Sequence, residues 1–271
     1  MPEARPSPVT VPVVRAAKRR SGHDALVMVT AYDAPGARLA DAAGVDLILV
    51  GDSVGNNVLG YENSLQVTVE DMAHHTAAVA RAKPRPLIVA DLPWMSYHLD
   101  PVATVRNAAV LIRAGAEAVK LEGGANRVAM IEALVSAEIP VMGHLGLTPQ
   151  SINVMGGFRV QGRGDAAAHA LQLGAKAIEA AGCFAVVLEG VPEAVGDAIT
   201  DTLEVPTIGI GAGPGCDGQV LVLHDLLGLN ETVPKFVRRY AELGEAVTDA
   251  LARYAADVRS GSFPSAGETY H

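Results

Sequence analysis

Cysteine is almost missing from this chain, with Cys183 and Cys216 the only two in 271 residues. Such a pair builds neither a disulfide framework, a CxxC redox motif nor a thiolate zinc cluster, and a reduced, cytoplasmic setting is expected. Positive charge is also scarce. Lys and Arg number 21 against 30 Asp and Glu, a formal net charge of −9. An acidic chain of this kind does not supply the phosphate-neutralising surface that nucleic acids require, so small-molecule partners are expected instead. No apolar run approaches the roughly 18 residues of a membrane helix; VDLILV, ending at Val50, is typical of the longest. Nor do residues 1–20 contain the apolar stretch of a secretory signal. With Pro2, Pro6, Pro8 and Pro12 ahead of Lys18, Arg19 and Arg20, they read as a disordered arm, the prolines opposing the amphipathic helix of a transit peptide.

What the chain does contain is apolar material, 49% of residues, with 19% charged, enough for one large domain. Short β-branched runs alternate with stretches of helical period, as in a parallel sheet with helical crossovers. The first four runs are LVMVT ending at Thr30, DLILV at Val50, PLIVA at Ala90 and AVKL at Leu121. PVMG ending at Gly143, AVVL at Leu188, TIGI at Ile210 and QVLVL at Leu223 bring the count to eight. Helix starts are expected at Thr68 with Asp71, at Asp100 with Pro101, at Asn126 and at Asp165. Gly44, Gly115 and Gly182 fall where helices should stop. Eight such units suit a (β/α)8 barrel of about 250 residues, with a doubly wound open sheet as the competing arrangement. Residues 21–260 are read as one barrel with C-terminal helices, helical from Pro234 to Val258, and 261–271 as a flexible tail.

A barrel brings the C-terminal ends of its strands to one mouth, where the chemistry of this fold resides. Those ends are polar here: Asp52 and Ser53, Asp91, Lys120 and Glu122, His144, Glu189, then His224 and Asp225. Two carboxylates 4 Å apart repel by about 4 kcal/mol at an effective dielectric near 20, so Asp52, Asp91 and Glu122 together require a cation or a proton. Oxygen donors without cysteine favour Mg2+ over Zn2+. The bland alternative makes each acid a helix cap or loop residue. Lys120 shares a strand face with Glu122 and suits either an anionic substrate or an internal ion pair; a Schiff base is disfavoured, because neighbouring acids keep the amine protonated.

Glu189 ends an apolar strand and is the candidate base, an ordinary polar strand end being the alternative. His144 either hydrogen-bonds a substrate oxygen, orients Glu189 or is a satisfied core residue. His74 and His75, on an expected helix, read as structural. GIGAGPG, Gly209 to Gly215, lacks both the dinucleotide fingerprint and the P-loop pattern. Its glycines admit either a phosphate or a close approach of neighbouring structure.

In sequence order, VMVTAYDAP, GDSVGNNVLGYENSLQVTVEDMAHHTAAV, ADLPW, AGAEAVKLEGG, GHLGLTPQS, QGRG, VLEGVP and IGIGAGPGCDGQVLVLHDLLG span most of Val27 to Gly228. Together they resemble the ketopantoate hydroxymethyltransferase family. The resemblance implies a (β/α)8 TIM barrel of the phosphoenolpyruvate mutase-like group. It also implies transfer of a hydroxymethyl group from 5,10-methylenetetrahydrofolate to 3-methyl-2-oxobutanoate, giving 2-dehydropantoate and tetrahydrofolate in pantothenate synthesis. By similarity, Asp52, Asp91 and Glu122 belong to an Mg2+ site, Asp52, Ser53, Asp91 and Lys120 surround the 2-oxo acid, and Glu189 accepts the proton. His144 joins the substrate-binding set as a partner of a substrate oxygen. Arg159 and Gly190 depart from the expected Lys and Cys, positions that supply neither a metal ligand nor the base. A large homo-oligomer, commonly a decamer, is also implied. A Mg2+-dependent 2-oxo acid aldolase or lyase of the same barrel group, working without folate, is the competing activity.

Overall fold

The computed structural model describes residues 7–270. Eight parallel strands close into a barrel in chain order. They are β1 (Leu26–Thr30), β2 (Leu47–Val50), β3 (Leu87–Asp91), β4 (Ala118–Glu122), β5 (Val141–Gly146), β6 (Ala185–Glu189), β7 (Thr207–Ile210) and β8 (Gly218–Leu221). β8 returns to β1, with Leu26 opposite Gly218 and Val29 opposite Leu221. The helices of this unit are α1 (Val11–Ala16), α2 (Ala34–Ala42), α3 (Val69–Ala80), α4 (Pro101–Ala114), α5 (Val128–Ser136), α6 (Ile152–Met155), α7 (Asp165–Ala180) and α8 (Glu193–Thr202). Strands β2 to β7 are covered on both faces, which explains the near-continuous apolar runs, whereas Val27 on β1 and Gln219 on β8 are exposed.

Local chemistry sets most element ends. Thr68 and Asp71 form a reciprocal capping box at the start of α3, and Asp100 accepts from the Ala103 N–H ahead of α4. Gly44, Gly115 and Gly182 take left-handed φ values of 77°, 112° and 109°, stopping α2, α4 and α7. Two expected starts move. Asn126 lies in a 3-10 turn before an uncapped α5, and Asp165 is already the first residue of α7, behind Gly164.

Residues 7–20 correct the expectation of a disordered arm; residues 1–6 lie outside the described set. Pro12 sits in the first turn of α1, where its missing N–H costs nothing, so the proline rule pointed the wrong way. Val9, Val14 and Ala17 are buried in the same apolar cluster as the inner residues of the strands. The Lys18 ammonium donates to Asp217 Oδ2 at 2.8 Å and to the Thr200 carbonyl at 2.8 Å. Thr207 N–H and Arg19 N–H, each at 2.9 Å, also donate to the Asp217 carboxylate. Asp217 and Thr207 stand at the strand starts, so α1 seals the end of the barrel opposite the mouth.

The chain divides into two compact units, one ending at Val222 and one beginning at Leu223, rather than a single 21–260 body. The second contains α9 (Leu223–Leu226) and α10 (Leu243–Ser260). The helix expected from Pro234 starts only at Leu243, and His224 and Asp225 belong to this second unit. Within the tail, Ser265 and Glu268 cap one 3-10 turn reciprocally. No helix among the described residues is long and apolar enough to cross a membrane.

Candidate active site

Period two carries the barrel core directly into the site. Leu87 and Val89 on β3, Ala118 on β4, Met142 on β5, and Ala185 and Val187 on β6 belong to the inner apolar cluster. Continuing each strand in steps of two gives Asp91, then Lys120 and Glu122, then His144, then Glu189. The polar residues therefore form the last inward layer at the C-terminal strand ends. Register joins them: Asp91 lies opposite Lys120, and Glu122 opposite His144.

The side chains make one connected charged network. Lys120 Nζ is 2.8 Å from Asp91 Oδ1, and both residues are buried. Asp91 Oδ2 accepts from the Asp52 N–H at 3.1 Å, which places Asp52, just past β2, beside it. His144 stands between two acids, with Nδ1 3.4 Å from Glu122 Oε1 and Nε2 3.3 Å from Glu189 Oε2. Its Nδ1 is also 3.3 Å from Lys120 Nζ. Ser53 is attached from the side, its Oγ 2.9 Å from Tyr32 Oη. Asp52, Ser53, Asp91, Lys120, Glu122, His144 and Glu189 thus occupy one end of one barrel.

Burial sets the electrostatics. Desolvation, reinforced by Asp91 and Glu122, pushes the Asp52 carboxyl up to about 8. Desolvation also raises Asp91, although Lys120 opposes it. Burial works against the Lys120 ammonium, but Asp91, Glu122 and Asp52 outweigh it and raise its pKa. His144 likewise resists burial and the nearby Lys120 because Glu122 and Glu189 hydrogen-bond its ring, lifting it to about 9. Lys120 is therefore a fixed cation, which removes the Schiff-base option for it.

Asp52, Asp91 and Glu122 are each no more than 5% exposed, and when ionised they and Glu189 outnumber the two cations, Lys120 and His144, an excess that the proton on Asp52 relieves. That surplus negative charge on oxygen donors fits a hard divalent cation. No three His, Cys, Asp or Glu side chains among the described residues are already gathered into a metal cage. Mg2+ characteristically retains water and substrate oxygens in its coordination shell, so a full protein cage is not required of the residues.

Gln150 and Tyr97 were not singled out from the sequence. Gln150 Nε2 donates to Asp52 Oδ2 at 2.9 Å, and its backbone N–H to Glu122 Oε2 at 3.0 Å. Tyr97 Oη donates to Gln150 Oε1 at 2.6 Å and accepts from the Glu122 N–H at 3.2 Å. Gln150 lies inside the GHLGLTPQS segment, whereas no period or spacing points to Tyr97. The glycine-rich loop resolves toward close approach: a Cβ at Gly213 would strike Glu193, and one at Gly215 would overlap Asp197 Oδ1. Two acids against the loop do not suit a phosphate. His75 Nδ1 is 2.7 Å from the Tyr32 carbonyl oxygen, a structural contact.

A family model described as ketopantoate hydroxymethyltransferase matches residues 8–266. The chain belongs to that family. A 3-methyl-2-oxobutanoate hydroxymethyltransferase of Methylobacterium sp. (strain 4-46) is 57% identical over 262 residues, covering 96% of this chain and 90% of the relative. One from Geotalea uraniireducens (strain Rf4) is 53% identical, covering 94% and 96% respectively. Among solved structures, 2,3-dimethylmalate lyase, a PEP mutase/isocitrate lyase superfamily member, aligns with a TM-score of 0.62 at 18% identity, over 98% of this chain and 93% of that one. A phosphonopyruvate hydrolase complex with oxalate and Mg++ aligns at 0.62 and 15% identity, over 95% and 92%. At 15–18% identity these alignments speak for the barrel fold alone.

Proposed function

We propose that this chain transfers a hydroxymethyl group from 5,10-methylenetetrahydrofolate to 3-methyl-2-oxobutanoate, giving 2-dehydropantoate and tetrahydrofolate. Family membership supports the reaction, and the observation that carries the mechanism is the line Glu122, His144, Glu189 beside Lys120, with 3.3–3.4 Å between neighbours. Asp52, Asp91 and Glu122 are the residues that would hold Mg2+. Bound there, the cation would polarise a 2-oxo carbonyl.

The chain's own groups supply the rest. Asp52, Ser53, Asp91 and Lys120 bind the oxo acid, with the Lys120 ammonium facing its negative charge. Glu189 removes the C3 proton, and His144 holds that carboxylate in place through Nε2. Charge that develops on the former keto oxygen is met by Lys120 and the protonated His144. The C3 carbanion equivalent attacks the methylene carbon of the iminium form of the folate. The carbon–nitrogen bond then breaks to release tetrahydrofolate, with water providing the hydroxyl. A cytoplasmic homo-oligomer, a decamer by resemblance, belongs to the same proposal and is read by light scattering.

A second reading is a Mg2+-dependent 2-oxo acid lyase or aldolase without folate. The solved structures favour it by name, being a lyase and a hydrolase, although at 15–18% identity they speak for the fold. Both readings use the same C3 deprotonation and differ in the electrophile.

The deciding experiment is C3 deuterium exchange of 3-methyl-2-oxobutanoate by NMR, with Mg2+ or EDTA, followed by addition of 5,10-methylenetetrahydrofolate. Metal-dependent exchange and then 2-dehydropantoate is the expected result. Exchange without transfer selects the second reading, and no exchange even with folate present removes both. Glu189→Gln should keep oxo-acid binding while slowing exchange by about 10²-fold or more, the usual size of a lost general base.

A further inference from the structure

Gln150 is 94% buried, in the 3-10 turn Pro149–Ser151 that follows β5. All its side-chain hydrogen-bonding directions toward the site are spoken for. Nε2 donates to Asp52 Oδ2 at 2.9 Å and to the Leu92 carbonyl at 3.0 Å, while Oε1 accepts from Tyr97 Oη at 2.6 Å. Because Tyr97 Oη accepts the Glu122 N–H, its own proton is committed to Gln150. The amide orientation is thereby fixed: a flipped amide would set its oxygen against two acceptors, Asp52 Oδ2 and the Leu92 carbonyl. The backbone N–H of the same residue holds Glu122 Oε2 at 3.0 Å. One neutral residue thus grips two of the three acids and adds no charge of its own.

We infer that Gln150, oriented by Tyr97, is a positioning residue that aims the Asp52 and Glu122 carboxylates into the mouth for the 2-oxo acid and its divalent cation. The inference rests on the proposed function, since it assigns those acids their task. A neutral double donor is the side chain this place demands. Glutamate would face Asp52 Oδ2 with another acceptor and enlarge the surplus negative charge, and an apolar residue would leave Asp52 Oδ2 and the Leu92 carbonyl without their donor.

The test uses the full-length protein and Gln150→Met, Gln150→Glu and Tyr97→Phe. Two quantities are measured: the calorimetric Kd of 3-methyl-2-oxobutanoate at fixed Mg2+, and the Mg2+ concentration that half-saturates C3 exchange. Gln150→Met should raise both by about tenfold, the worth of one hydrogen bond to a charged group, while the exchange rate at saturating Mg2+ stays within about threefold. Gln150→Glu should be weaker still, and Tyr97→Phe should shift both in the same direction by about threefold. A purely structural residue would lower the melting temperature in EDTA and leave both half-saturation values alone. That outcome, or unchanged binding with a lost maximal rate, overturns the inference. If Gln150→Met fails to fold by circular dichroism, Tyr97→Phe decides on the same two readouts. Wild-type protein that neither binds nor exchanges the oxo acid overturns the proposed function and this inference with it, whereas an active wild type with unshifted variants overturns the positioning role alone.

Discussion

Raising the pH from 6.5 to 8 in EDTA should destabilise this protein. Two buried groups hold protons in the folded state that the unfolded chain has already released. Asp52 has its pKa raised from 3.8 to about 8 by burial, Asp91 and Glu122, against Lys120 and Gln150. His144 is raised from 6.5 to about 9 because its hydrogen bonds to Glu122 and Glu189 overcome burial and Lys120. For each, the folded pKa exceeds the unfolded one. The native state therefore binds more protons across the interval, and stability falls as pH rises. His144 contributes fully below 6.5 and loses its contribution as pH climbs through about 9; Asp52 is already costing stability above 3.8, increasingly up to about 8. Asp91, raised by burial, acts with the same sign. Lys120 is raised from 10.5, so its effect lies above the window.

One to two excess protons correspond to about 1.4–2.7 kcal/mol per pH unit, hence a loss of about 2–4 kcal/mol between pH 6.5 and 8. Urea denaturation followed by circular dichroism, at half-unit intervals in EDTA, measures it. Asp52→Asn should remove the Asp52 share and flatten the slope. Saturating Mg2+ should flatten it too, a cation taking the place of the proton on Asp52. Stability that is level or rises over this range in EDTA would refute the electrostatic account of the site.

Asp217→Ala should cost about 3–5 kcal/mol in urea, because it strands the buried Lys18 ammonium. Lys18→Met should cost less, since Asp217 keeps the Thr207 and Arg19 N–H donors; the reverse order would count against the pairing. Gly146→Ala should abolish C3 exchange or folding, since φ is 96° and the added Cβ would overlap the Glu189 carbonyl; normal exchange would contradict that packing. Both cysteines are buried, and burial lifts the Cys183 thiol to about 12 and raises Cys216 as well. Neither should react with a thiol reagent until urea unfolds the chain, so rapid native labelling would be inconsistent with their placement.

Strand positions were legible because burial on both faces writes an uninterrupted apolar run, and TIGI and LVMVT coincide with β7 and β1 to the residue. Strand ends were less so where function replaces hydrophobicity: β5 was expected to stop at Gly143 but continues through His144 to Gly146. The same parity that packs Met142 inward places His144 in the charged layer at the mouth, so a polar side chain interrupted the pattern without interrupting the strand. Candidate site residues were visible as polar strand ends. Gln150 and Tyr97 were not, because their role arises from side chains that meet across 53 residues of sequence. Residues 11–16 were misread because prolines signal a break in general and a helix start in particular places. The division at Val222 was also invisible, because it falls inside the apolar run QVLVL, where composition does not change.

The bond between Lys18 and Asp217 spans 199 residues. During synthesis the amino-terminal segment emerges long before its partner, and at roughly 5–20 residues per second the wait is about 10–40 seconds. Through that interval Val14 has no barrel to cover and the Lys18 ammonium must remain hydrated. The seal at the base of the barrel, made by the earliest described residues, is thus among the last contacts the ribosome permits. A nascent chain arrested before Asp217 would present its strands with β1 unpaired on one side, an open edge of the kind chaperones bind and aggregation exploits.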